Sequence, residues 1–166
     1  GDYDDAAKTY AIAGSLWPEN KSIPKLQKKA EDLARAQELQ ERGEHECDAG
    51  DFLKAVKSFE EALNFDPENA EIKQERDDAL RKAKVQELKV KAEGQAANRD
   101  YADAVKTFME ALALDPDNKT IKSEECDAAK RAKAWDLKIE ADEMMEDGDY
   151  DDAAKTYAVA YGLDPT

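Results

Sequence analysis

"GDFLKAVKSFEEALNFDPEN" occupies residues 50–69, and its reading decides the fold. Phe52, Ala55, Val56, Phe59, Ala62 and Leu63 fall on one helical stripe, while Lys54, Lys57, Glu60 and Glu61 populate the opposite face. That pattern predicts a short amphipathic helix. Asp66-Pro67 closes it, because proline disfavours helical geometry in the residue before it and has no amide hydrogen to continue the ladder.

Three further stretches align with this one without a gap: "GDYDDAAKTYAIAGSLWPEN" at 1–20, "RDYADAVKTFMEALALDPDN" at 99–118 and "GDYDDAAKTYAVAYGLDPT" at 148–166, a step of 49 residues each time. The connecting stretches keep the same register, with Ile23, Ile72 and Ile121 equivalent, then Ala30, Ala79 and Ala128, then Leu39, Leu88 and Leu137. Residues 1–11 return unchanged at 148–158, although they match 50–60 at only four positions and 99–109 at six. A unit of three repeats, itself duplicated, accounts for that identity. After each Asp-Pro turn the chain predicts a long helix; Ala70 to Gln95 contains no proline and a single glycine, Gly94. Acid-before-base pairs such as Glu31/Arg35, Glu38/Arg42, Asp77/Arg81 and Asp127/Arg131 suit ion pairing four residues apart, and Ser22 and Thr120 suit helix N-caps. The expected organisation is therefore an orphan short helix over 1–17 followed by helix pairs over about 21–66, 70–115 and 119–164.

Composition narrows the function. Forty acidic against 25 basic residues give a formal charge of −15, which repels phosphate backbones and anionic lipid, so nucleic acid is not an expected partner. No apolar run approaches a membrane span. Cys47 and Cys126 differ in context and read as reduced thiols, and His45 with Cys47 makes a poor metal pair because i and i+2 face different sides of a helix. Neither a cofactor nor a metal is expected. Scattered carboxylates and one histidine single out no catalytic group, so the reading is non-enzymatic.

The short helices resemble the second helix of the tetratricopeptide repeat. Its aromatic, Ala, aromatic, Ala and Pro spacing is matched by Phe52, Ala55, Phe59, Ala62 and Pro67, by Tyr101, Ala104, Phe108, Ala111 and Pro116, and likewise from Tyr3 and from Tyr150. The first helix matches through Leu39 and Gly43, Leu88 and Ala92, and Leu137 and Ala141. The family's usual period is about 34 residues, so this chain lengthens each first helix by about four turns. The resemblance implies an all-α, right-handed α-solenoid with long first helices, whose added turns project beyond their shorter partners. It also implies a concave face built by the first helices that holds a partner segment.

On that face the resemblance places Gln86, Lys89, Val90 and Glu93 in one repeat and Trp135, Lys138, Ile139, Asp142 and Met145 in the next. Trp135 is the candidate anchor, the alternative being a tryptophan packed beneath a neighbouring helix. The family's chaperone-binding branch uses Asn where this chain has Glu44, Glu93 and Asp142, so acidic chaperone tails are not expected and a peptide of basic or mixed charge fits better. "NKS" at 20–22 and "NKT" at 118–120 are glycosylation acceptors at Asn20 and Asn118. They keep a secreted or surface location open beside the favoured cytoplasm. Two functions follow: an interaction scaffold, or a structural segment of a longer array or filament that associates end to end.

Overall fold

The computed structural model describes residues 3–165. These form seven α-helices and no strand: α1 (Tyr3–Leu16), α2 (Ile23–Asp48), α3 (Phe52–Phe65), α4 (Ala70–Ala97), α5 (Tyr101–Leu114), α6 (Lys119–Asp147) and α7 (Tyr150–Leu163). Short helices of 14 residues alternate with long ones of 26, 28 and 29. Asp66, Asp115 and Asp164 end α3, α5 and α7 with non-helical backbone, as the Asp-Pro pairs require.

The helix starts differ from the sequence expectation in which side chain does the capping. Asn118 Oδ1 accepts from the Ile121 amide at 3.1 Å and Asn69 Oδ1 from the Glu71 and Ile72 amides at 3.1 and 3.2 Å, whereas Thr120 already lies inside α6. Ser22 precedes α2, but its hydroxyl caps nothing; Asn20 Oδ1 instead accepts from the Ser22 amide at 3.0 Å. A carboxamide standing just before the helix reaches the free amides of the first turn, and a hydroxyl inside it does not. The expected i,i+4 ion pairs are also absent among the described residues. Arg35 turns to Glu38 and Arg81 to Asp78, each at 2.9 Å and three residues apart, and Lys82 lies over the Phe52 ring.

The chain divides into two compact units after Ala83, within α4. In the first, Ala55, Phe59 and Ala62 of α3 pack against Ala36 and Leu39 of α2 and against Ile72 and Ala79 of α4. In the second, Ala104, Phe108 and Ala111 of α5 pack against Val85 and Leu88 of α4 and against Ile121 and Ala128 of α6. Seven of the eight positions in each cluster correspond at the sequence period. A further interface in the second unit joins α6 to α7, burying Ala141, Ala153 and Ala160.

Long helices therefore serve two short ones each. α2 packs against both α1 and α3, with Ile23 beside Gly14, and α6 packs against both α5 and α7. The added turns are not bare projections: in each case the short helix preceding the long one covers them, because Ile23 and Ile121 are apolar and must be buried.

Three of the short helices, α3, α5 and α7, also carry one polar residue toward the long helix before them, whereas Thr9, at the same phase of α1, is exposed and donates to the Asp5 carbonyl of its own helix. Ser58, 1% exposed, donates to Glu46 Oε2 at 2.5 Å and accepts from Arg42 Nε at 2.9 Å. Thr107 donates to Gln95 Oε1 at 2.7 Å, and Thr156 faces Met144 Sδ at 3.7 Å. The same latch thus grades from charged to neutral to thioether along the chain.

Candidate functional site

The second unit holds a cleft of about 540 Å³. Its position follows from the register of α6: Ala128, Ala134 and Ala141 face inward, which turns Arg131, Trp135 and Lys138 to the flank facing solvent. α7 contributes Tyr157 and Tyr161 on the other wall, while the turn between α4 and α5 brings Arg99 and the start of α5 brings Tyr101. Asp164 and Pro165 close one end. The volume lies within the range of pockets that take small ligands or a few side chains, about 300–1,000 Å³.

Trp135 organises the cleft. It is 39% exposed, with the Arg99 guanidinium 5.7 Å from its ring centroid and the Lys138 ammonium 5.9 Å away, both within cation–π range. Lys138 also pairs with Asp142 at 2.7 Å, and the Tyr157 hydroxyl donates to the same carboxylate. Those two bonds, Lys138 first, hold the Asp142 carboxyl below its usual range, and Asp142 in turn raises Tyr157. Tyr157 is thereby fixed as a wall. Arg99 and Arg131 enter no ion pair among the described residues, which leaves the cleft cationic in a chain of net charge −15. Behind Arg99 and Trp135 lies a smaller hollow of about 210 Å³ whose lining includes Asp100, Asp103 and Asp136. Cationic and anionic surfaces therefore adjoin across one tryptophan.

Of the residues singled out in the sequence, the structure brings Trp135 and Lys138 into the cleft and places Asp142 behind its wall. Ile139 and Met145, 45% and 44% exposed, lie on α6 outside its lining. Gln86, Val90 and Glu93 are exposed on α4. Lys89 is committed elsewhere, pairing with Glu93 and with Glu124 of α6 at 3.0 Å, as Gln40 ties to Glu75 at 2.8 Å in the first unit. The carboxamides of Asn20 and Asn118 are half-buried and engaged in the turns, with Asn118 Nδ2 donating to Asp115 at 3.0 Å.

Sequence reasoning missed Arg99, Tyr101, Arg131, Tyr157 and Tyr161. A signal for Arg99 was present, since it stands where Gly50 and Gly148 occupy the same phase of the repeat. Among the described residues no group of three or more His, Cys, Asp or Glu side chains could hold a metal ion, and no helix is long and apolar enough to cross a membrane. Comparison with models of known protein families and with curated proteins finds no match.

Proposed function

We propose that this chain is a non-enzymatic interaction scaffold, a right-handed solenoid of tetratricopeptide-like repeats that holds a segment of a partner protein. Trp135 carries this reading: a half-open tryptophan at the edge of a cleft of about 540 Å³ is the side chain most enriched in binding hot spots. The adjoining cationic cleft and acidic hollow favour a segment of mixed charge. A peptide-array screen followed by calorimetry tests it. Trp135→Ala is expected to weaken the selected peptide at least about tenfold, as a hot spot does. An array with no ligand above background sinks the reading.

The close positional correspondence of the two cores supports a second reading, a structural segment of a longer array or an end-to-end assembly. Sedimentation over a wide concentration range separates the two. A species that stays monomeric throughout counts against self-assembly.

A further inference from the structure

Arg99 has a backbone φ of +67°, the left-handed region in which a β-carbon crowds the following carbonyl. Its equivalents are glycines with the same conformation, Gly50 at +79° and Gly148 at +87°, so the turn geometry is common to the repeats and arginine alone is strained by it. Trp135 is a second departure at a repeated position, since Gln37 and Gln86 occupy its phase in the other long helices. These two departures lie on different elements and meet with the guanidinium 5.7 Å from the indole. An unfavourable conformation at the rim of a cleft points to a role there, because folding alone would favour glycine.

From this coincidence we infer that the Arg99–Trp135 cleft binds a peptide segment presenting an anionic group, carboxylate or phosphate, beside an aromatic side chain. The inference rests on the scaffold reading and specifies the anionic part of its mixed-charge ligand, the part seated in the cleft. Of the three cations lining the cleft, Lys138 is paired with Asp142, whereas Arg99 and Arg131 have no carboxylate partner among the described residues, and arginine's planar fork suits bidentate pairing with either anion. Tyr101, Tyr161 and the open part of Trp135 offer flat apolar surface to the neighbouring ring. Glu44 and Glu93 do not line the cleft, the Asp142 charge is taken up by Lys138 and Tyr157, and the one carboxylate in the lining, Asp164, is outnumbered by Arg99 and Arg131.

The test uses capped pentapeptides in which phenylalanine is flanked by two glutamates, two lysines or two glutamines, a phosphotyrosine version of the glutamine peptide, and inorganic phosphate alone. Calorimetry is expected to rank the glutamate or phosphotyrosine peptide at least about tenfold above the lysine and glutamine peptides, the scale of a charge-assisted bidentate pair. Whichever of the two binds tighter identifies the anion. Arg99→Gly and Trp135→Gln restore the residues of the sister repeats, so both fold, and each should weaken the preferred peptide by about fivefold or more. Arg99→Gly should at the same time raise the melting temperature, a combination that a purely structural arginine would not produce. Equal or tighter binding of the lysine peptide, or indifference to Arg99→Gly, overturns the inference while leaving the scaffold reading intact. Phosphate alone binding as tightly as the peptides overturns it too. Failure of every peptide here and in the array removes both.

Discussion

Gly43 lies directly beneath the ring of Phe59: a β-carbon built at position 43 would stand 2.6 Å from Phe59 Cε1 and under 3 Å from two further ring atoms. Phe59 is 1% exposed and has no room to withdraw. Gly43→Ala gains helix propensity of up to about 1 kcal/mol, but overpacking costs about 1–3, so a net loss of about 1 kcal/mol is expected. Ala92 sits at the equivalent position beside Phe108, so Ala92→Gly should also destabilise, by loss of packing and propensity. Chemical denaturation of both variants checks the pair; a Gly43→Ala protein more stable than the parent contradicts the close approach.

Ser58 joins Arg42 and Glu46 through one buried hydroxyl, and Arg42 extends the network to Glu61 at 3.0 Å. Ser58→Ala leaves the Glu46 carboxylate, whose side chain is only 22% exposed, without that donor and is expected to cost about 1–2 kcal/mol. Thr156→Ala loses only a hydroxyl–thioether contact at 3.7 Å and should cost less. Equal losses in denaturant titrations would refute the grading.

Glu75 is half-buried, and burial pushes its carboxyl up, aided by the nearby Glu44 and Glu71 and opposed by the hydrogen bond from Gln40. An acid raised on folding contributes stability that is complete below its unfolded pKa and is lost as pH rises through the folded one. Glu75→Gln should therefore leave stability near pH 4 almost unchanged and increase it at neutral pH, by under about 1 kcal/mol given the exposure of the site. Melting temperatures across that pH range decide it, and a variant less stable at pH 7 than at pH 4, relative to the parent, reverses the sign.

Cys126 is exposed, whereas Cys47 is half-buried and burial raises its thiol. Because the thiolate is the reacting form, a chromogenic disulfide reagent should label Cys126 first, by about tenfold or more in rate. Loss of the fast phase in Cys126→Ser assigns it. A fast phase that survives this substitution would place the reactive thiol at Cys47.

Gly94 sits within α4 with open space where a β-carbon would be added. Gly94→Ala should raise stability by about 0.5–1 kcal/mol by restricting the unfolded chain and improving propensity. In a chain of this size that corresponds to roughly 1–4 °C in melting temperature. An unchanged or lowered melting point would mean that the α4 backbone there is not helical in solution.

Seven helices and the faces they bury were legible because both depend on local spacing: the stripe through Phe52, Phe59 and Ala62 and the break at Asp66-Pro67 act within a few residues. Finer assignments failed where two local choices had similar energies. Asn118 and Thr120 are both good capping types, and only the position of the first helical turn selects the asparagine. Arg81 can reach Asp77 or Asp78, and on an exposed face the difference is a few tenths of a kcal/mol. The cover over the added turns was missed because periodicity marks Ile23 and Ile121 as apolar without naming the helix that meets them. The cleft was hardest to see, since Arg99, Trp135 and Tyr157 belong to three elements and periodicity treats departures from a repeat as noise.

The matching of Phe59 with Phe108, and of most core positions around them, has a genetic consequence. An unequal exchange that removed residues 50–98 would join Ala49 to Arg99 in phase and set Gly43 against Phe108, a glycine–phenylalanine pairing of the same kind as Gly43 with Phe59. Recombination could thus lengthen or shorten such a gene by whole repeats without presenting the interior with a misfit. Copy number would then be free to vary, while the residues that break the repeat, such as Arg99, would mark the copies that had acquired a separate task.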